Sequence, residues 1–349
     1  MRKTGLEVLI ALLLGLEPLH FGQGCHAWEN LVTCNPGVAY RDGTFYMLYR
    51  AAGDDEEHVI RFGLAESRDG FHFTRMSDAP AFGPSVDGPD SGCVEDPRIV
   101  RFGDTYYITY AYRPYAPGRY WTFPHDTVRY PDADASSPGA WSRNLGNSGL
   151  AMTQDFRHFR RLGRITSPTL DDRDVILFPE QVGGKYVLLH RPKQYVGPAY
   201  GVAYPAIWIK FSEDLLDWED KPSRLLLSGR PGTWEEKVGG STPPILTDAG
   251  WLMLYHGVAD GGRSRYSVGA ALLDREDPTR VLARLPEPIL EPDLSYETDG
   301  CYAGCVFPTG NVVVDGTLYV YYGAADKYVG VATCPLDELL DALLGFKKV

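Results

Sequence analysis

The sequence predicts an all-β chain folded as a five-bladed β-propeller, preceded by a short helical extension. Three observations carry that prediction. An aromatic eight-residue phrase recurs five times, a proline-bearing apolar run precedes each copy, and another apolar run follows it. Composition agrees: the 349 residues include 22 Tyr, 38 Gly and 26 Pro, a mix suited to short strands joined by tight turns. With 44% hydrophobic and 23% charged residues, the chain can bury a large core.

The phrase reads Asp42-Gly-Thr-Phe-Tyr-Met-Leu-Tyr49 in its first copy and Gly103-Asp-Thr-Tyr-Tyr-Ile-Thr-Tyr110 in its second. It returns as Gly183-Gly-Lys-Tyr-Val-Leu-Leu-His190, Asp248-Ala-Gly-Trp-Leu-Met-Leu-Tyr255 and Asp315-Gly-Thr-Leu-Tyr-Val-Tyr-Tyr322. A turn dipeptide between apolar runs is a hairpin signal, so each phrase is expected to be the second strand of a hairpin. The first strands are read at Asn35-Pro36, Asp96-Pro97, Phe178-Pro179, Pro243-Pro244 and Phe307-Pro308. Third strands begin near Gly63, Gly149, Ile207, Val268 and Val329, three of them running on into a polar turn and another aromatic. Five sheets of about four strands close into one domain despite the chain's length.

Residues 1–30 read as an extension to a propeller spanning 31–349. Arg2 and Lys3 precede Leu9-Ile10-Ala11-Leu12-Leu13-Leu14, a run too short to cross a bilayer. Glu7 and Glu17 bracket it, and no small-residue cleavage site follows. A helix packing on the body, or docking between subunits of a homo-oligomer, is the expectation; a signal peptide is the competing interpretation.

The charge balance, 34 Lys+Arg against 46 Asp+Glu for a net −12, lacks the basic footprint of a nucleic-acid binder. Six cysteines without a C-x-x-C pair offer poor support for zinc, so neither metal nor cofactor is expected. None of the asparagines lies in a glycosylation sequon. Reduced thiols in a cytoplasmic protein with no membrane partner fit these facts.

Topology tells where to look. In an antiparallel blade the start of the first strand and the end of the second share one face. Asn35, Arg50, Asp96, Arg191, His256 and Asp326 should therefore converge at one end of the central channel, with Lys237 just ahead of the fourth first strand. Two long insertions, 113–147 and 192–205, leave from the same face and carry Tyr115, Tyr120, Trp121, Tyr195, Tyr200 and Tyr204. Asp96 opens an inner strand, where restricted solvent access suits a general acid. Arg50, Arg191, Lys237 and His256 could bind an anion, and guanidinium groups suit phosphate through paired donors. Taken singly, each has a plain structural explanation: Asp before Pro is common in turns, and strand-end cations are often solvated. His190 stands where other copies have Tyr and reads as a packing residue, while Asp69, Asp155 and Asp214 read as turn formers.

At these motifs the chain resembles glycoside hydrolase family 130, the five-bladed propeller family of β-mannoside phosphorylases. The resemblance runs from Asn35-Pro36 to Asp326. It rests on Leu48-Tyr49-Arg50-Ala51, Glu95-Asp96-Pro97-Arg98, Leu177-Phe178-Pro179-Glu180, His190-Arg191-Pro192, Lys237-Val238-Gly239, Tyr255-His256-Gly257 and Tyr321-Tyr322-Gly323-Ala324-Ala325-Asp326. It implies that Asp96 is a general acid relaying its proton through the 3-hydroxyl of a bound mannose. Phosphate, a co-substrate, would attack the anomeric carbon with inversion, converting a β-mannoside into α-mannose 1-phosphate and a shortened acceptor. The resemblance places phosphate contacts at Arg50, Arg191, Lys237, His256 and Arg173. It places sugar contacts at Asn35, Arg98 and Asp326, with Tyr115 and Tyr200 as stacking candidates in the insertions. Pro36 departs from the Ser or Ala usual after that Asn.

Two rivals remain at this level. An inverting hydrolase would need a base carboxylate roughly 6.5–9.5 Å from Asp96, for which Asp326 or Glu180 could serve. A carbohydrate-binding propeller would need no acid at all. Linkage, β-1,4 or β-1,2, and acceptor sugar stay open.

Overall fold

A computed structural model describes residues 26–55, 57–116, 118–119, 143–259 and 265–346. Blade 1 holds β1 (Val32–Arg41), β2 (Thr44–Ala52), β3 (Arg61–Ser67) and β4 (Thr74–Arg75). Blade 2 holds β5 (Cys93–Phe102), β6 (Thr105–Arg113), β7 (Asn147–Thr153) and β8 (Arg160–Arg164). Blade 3 holds β9 (Asp172–Leu177), β10 (Tyr186–Pro192), β11 (Ile207–Ser212) and β12 (Arg224–Leu227). In blade 4, β13 (Lys237–Gly240) and β14 (Ile245–Thr247) both pair with β15 (Gly250–Val258), followed by β16 (Tyr266–Leu273) and β17 (Val281–Arg284). A single helical turn, α1 (Ser295–Thr298), leads into blade 5: β18 (Val306–Val314), β19 (Thr317–Ala324) and β20 (Tyr328–Pro335). Every pairing within the five sheets is antiparallel, and apart from β13 with β15 each joins successive strands. Inner strands touch their neighbours in turn, and β18 returns to β1, closing the ring. The all-β five-bladed propeller is therefore the fold, with each repeated phrase as a second strand.

Three details differ from the sequence expectation. The first strand of blade 3 is Asp172–Leu177, and Phe178-Pro179 lies beyond its end rather than at its start. The ladder with β10 pairs Asp172 with Pro192 and Leu177 with Leu188, so the apolar Val175-Ile176-Leu177 run takes the hydrogen bonds, while Pro179 has no N–H to offer. Pro243-Pro244 likewise splits the first strand of blade 4 into β13 and β14. Among the described residues blade 5 has three strands, and a helix, α2 (Leu336–Gly345), follows where a fourth would be. Its Leu339 and Leu343 are buried against the core of blades 4 and 5. The expected N-terminal helix lies outside the described residues except for 26–30, which form a turn that buries Glu29.

That Glu29 belongs to a second repeat, one made of side chains. The Tyr49 hydroxyl donates to Glu29 at 2.8 Å, and Arg75 of β4 pairs with the same carboxylate at 2.5 Å. Blade 2 repeats the arrangement with Tyr110, Asp90 and Arg161; blade 4 repeats it with Tyr255, Glu235 and Arg284. In blade 5, Tyr322 donates to Glu297 at 2.6 Å. Each pin ties the second strand to the segment ahead of the first, and in three blades to the fourth. The third strands carry a glycine opposite the ring because a Cβ at Gly63, Gly149, Gly269 or Gly330 would meet the Tyr at 2.7 Å or less. Blade 3 solves the same problem differently: His190 pairs across from Trp208 and reaches Asp172 at 2.8 Å and Ser223 at 2.7 Å. A smaller ring accommodates a larger neighbour, and His190 is the packing residue that its place in the repeat predicted.

Candidate active site

The site begins with a backbone irregularity. In blades 1, 2 and 3 the first strand bulges at the same point: Asn35-Pro36 opposite Tyr49, Asp96-Pro97 opposite Tyr110, and Asp174-Val175 opposite His190. The leading residue of each bulge adopts left-handed backbone, with φ of 43° at Asn35, 54° at Asp96 and 56° at Asp174. Asn and Asp tolerate that region better than other side chains, and a bulge re-aims the side chain it carries. Three polar groups are thereby presented at one end of the channel. A two-residue turn adds a fourth, since Ala325 and Asp326 both have positive φ and the Lys327 N–H closes back on Ala324 O at 3.0 Å.

Around Asp96 the arrangement is acid-centred. Asn35 Nδ2 donates to Asp96 Oδ1 at 2.8 Å, and Arg50 Nη1 donates to the same oxygen at 3.1 Å. Arg50 also lies 3.8 Å from Glu95, which Arg113 approaches at 3.9 Å from the other side. Burial alone would raise Glu95, yet Arg50, Arg113 and Arg173 hold it below the usual carboxylate range. Burial raises Asp326, and against the pull of Arg50 the nearby Asp96 and Glu95 charges add to the rise. Asn35 lies between the two aspartates. Gly323 makes room for it, because a Cβ there would stand 1.7 Å from Asn35 Oδ1.

Around Asp174 the arrangement is cation-centred. Arg191 Nε stands 2.7 Å from Asp174 Oδ2, His256 Nε2 stands 3.7 Å from the same oxygen, and Arg98 Nη2 reaches Asp174 Oδ1 at 3.4 Å. Burial would raise Asp174, but Arg191, His256 and Arg98 outweigh it and hold the carboxyl at about 2. Burial lowers His256 to about 3, with Arg191 and Arg98 adding to the effect against Asp174. The imidazole is therefore neutral and brings hydrogen bonding rather than charge to the cluster. Arg98, 2% exposed, donates to Ser241 O at 2.7 Å and to Asp96 O at 3.1 Å, so it is a strut joining blades 2, 3 and 4.

The remaining predicted residues sit around this pair of clusters. Arg173 pairs with Asp171 at 3.0 Å beside Lys193, whose ammonium Arg173 and burial lower to about 8. Lys237 starts β13, and its Nζ stands 5.7 Å over the Tyr204 ring of the second insertion. Tyr200 stacks on Tyr195 with ring centroids 4.5 Å apart, and both meet Trp208 edge-on. Tyr115 takes Asn144 Oδ1 on its backbone N–H at 3.2 Å, while Tyr120 and Trp121 lie outside the described residues. Glu180 is elsewhere. It lines a groove of about 750 Å³ between α2 and the Thr247–Gly250 turn, at the end of β15 opposite His256, so it cannot face Asp96 as a base. Among the described residues no three His, Cys, Asp or Glu side chains stand together as a metal site.

Sequence reasoning missed Asp174 and Lys193. Aligning blade 3 on Phe178-Pro179 hid the match between Arg173-Asp174 and Glu95-Asp96, because Asp174 stands 16 residues ahead of His190 where Asp96 stands 14 ahead of Tyr110.

The sequence model of glycoside hydrolase family 130, described as a beta-1,4-mannooligosaccharide phosphorylase, matches residues 21–127 and 140–344. The chain belongs to this family. Among family 130 relatives, the 1,2-beta-oligomannan phosphorylase of Thermoanaerobacter sp. (strain X514) is 35% identical over 330 residues, 93% of this chain and 96% of the relative. The beta-1,2-mannobiose phosphorylase of Listeria innocua serovar 6a is 36% identical over 281 residues, 80% of this chain and 68% of the relative. A solved structure of the Listeria innocua beta-1,2-mannobiose phosphorylase with beta-1,2-mannobiose superposes with a TM-score of 0.71 at 29% identity, covering 95% of this chain and 94% of that one.

Proposed function

We propose that this propeller is an inverting phosphorylase that cleaves a β-1,2-linked mannobiose or oligomannan with inorganic phosphate. The observation that carries the reading is the division of the mouth: a hydrogen-bonded aspartate, Asp96, on one side and a cluster of buried Arg98, buried His256 and half-buried Arg191 on the other. Asp96 supplies the proton to the departing sugar oxygen through the 3-hydroxyl of the mannose, which Asn35 and Asp326 hold. Phosphate, gripped by Arg191 and its neighbours, attacks the anomeric carbon from the opposite face. The glycosidic C–O bond breaks as the C–O–P bond forms, yielding α-mannose 1-phosphate and an acceptor with a free hydroxyl. Phosphate is nucleophilic at neutral pH, so no base carboxylate is required. Both sequence relatives named above carry β-1,2 names, which supports that linkage over β-1,4.

One observation favours a hydrolase as second reading: burial raises the Asp326 carboxyl, which would make it a better base for water than Asp174. The decisive assay incubates the purified protein with β-1,2- and β-1,4-mannobiose, with and without phosphate. Phosphate-dependent mannose 1-phosphate from the β-1,2 substrate is expected; equal release of free mannose without phosphate would make it a hydrolase. The five described cysteines are all free thiols, four of them buried, which supports a reducing cytoplasmic setting.

A further inference from the structure

Asp174 is an odd occupant for an anion cradle. Its side chain is 5% exposed and bears a negative charge among the groups proposed to hold phosphate. We propose that Asp174 is the specificity-determining residue for the anion: it lets the site accept an oxyanion that still carries a proton and turns away one of similar size that does not. Phosphate is taken and sulfate refused. The proposal rests on the phosphorylase reading above.

The argument is one of donors and acceptors. An ionised carboxylate only accepts hydrogen bonds. Oδ1 receives Arg98, whereas Oδ2 has Arg191 and His256 at 2.7 and 3.7 Å yet accepts no aligned hydrogen bond among the described residues. The chain passes that side without a side chain: a Cβ at residue 239 would clash at 2.7 Å from Asp174 Oδ2 and 2.6 Å from His256 Nε2, so only glycine leaves Oδ2 uncovered there. Hydrogen phosphate retains one O–H at neutral pH, which can donate to Oδ2 while its other oxygens accept from Arg191. Sulfate has four acceptor oxygens and no hydrogen. Placed in the same cradle it sets acceptor against acceptor, in a spot too buried for water to relieve the clash. Discrimination by an unpaired group presented to the wrong ligand is stronger than discrimination by size.

The test uses the full-length enzyme turning over β-1,2-mannobiose. The KM for phosphate is measured, arsenate is tried as alternative co-substrate, and sulfate and selenate are titrated as competitors of phosphate. Arsenate keeps an O–H at neutral pH; selenate does not. In the wild type, arsenate should support turnover, and sulfate and selenate should each inhibit with constants at least ten-fold above the phosphate KM. Asp174→Asn offers an amide N–H to a bare oxyanion. It should move the sulfate-to-phosphate ratio ten-fold or more toward sulfate, with folding checked by thermal melting. Sulfate competing with wild type as tightly as phosphate binds would overturn the proposal, whether or not the variant folds. So would a folded Asp174→Asn protein with an unchanged ratio. Phosphate-independent release of free mannose is a separate result, sinking the phosphorylase reading on which the proposal stands.

Discussion

Blades 2 and 3 offer the mouth the same piece of backbone with opposite chemistry upon it. Asp96 and Asp174 each lead a bulge in the first strand, each with left-handed φ, each opposite the residue that pins its blade. Asp96 is 15% exposed and takes Asn35 and Arg50 on one oxygen, whereas Asp174 is 5% exposed and faces Arg98, Arg191 and His256. Repetition supplied the geometry, and the neighbours supplied the function. A carboxylate beside one guanidinium and an amide can exchange a proton with substrate. One faced by the Arg98 and Arg191 guanidiniums, with a neutral imidazole beside them, is held ionised and organises them instead.

Substitutions at the two positions should separate these roles, and the largest effect is expected at the acid. Asp96→Asn should lower kcat by about 10²–10⁴-fold, the usual worth of a positioned general acid, while leaving the phosphate KM little changed. A drop in phosphate affinity with kcat intact would mean that the acid and anion halves have been assigned the wrong way round. Next comes Arg191→Lys, which keeps the charge and loses the planar fork. The KM for phosphate should rise about ten-fold or more with a smaller change in kcat. Equal KM values in the two proteins would show that Arg191 serves Asp174 alone.

A smaller effect, on stability rather than rate, is expected at His256. Its folded pKa of about 3 lies below the ordinary histidine value of 6.5. Between those two pH values the unfolded chain takes up a proton that the native state refuses, so stability is complete above about pH 6.5 and is lost as pH falls toward 3. Asp174, depressed to about 2, adds a further loss only below its unfolded value of 3.8. Melting temperatures at about pH 7.5 and 5 should therefore differ more for wild type than for His256→Asn. The same drop in both proteins would argue that the imidazole is charged in the cradle. Smallest at the site itself is Tyr110→Phe, which removes the hydroxyl donated to buried Asp90 at 2.9 Å. Stability should fall by about 1–3 kcal/mol with kcat and both KM values unchanged, because the pin is remote from substrate. A change in kcat would tie the blade's pin to the set of the Asp96 bulge opposite it.

Much of this molecule was legible before folding. Five phrases, their turn dipeptides and the apolar runs before and after them located fourteen strands, all but the first of blade 3, and the shared face of strand starts and ends gathered Asn35, Arg50, Asp96, Arg191, His256 and Asp326 at one mouth. Helix α2 was legible too: leucines at 336, 339, 340, 343 and 344 after Pro335 form a helical stripe, overlooked beside the stronger strand repeat. Blade 3 misled because Pro179 imitates the proline of the other bulges, where the ladder with β10 instead ends before it. Glu180 misled for the same reason and lies in the groove between α2 and the turn ahead of β15.

Repeats, turn chemistry and the order of motifs are local properties, set within a few residues of chain, so they can be read along it. Partnership is not local. Arg50 and Arg191 look alike in sequence, each closing a second strand, and nothing near either says that one meets Asp96 and the other Asp174. His256 reads as a cation until three blades close around it and exclude the water its charge would need. Charge in a buried cluster is decided by every group that faces it, and those groups arrive from blades far apart in the chain.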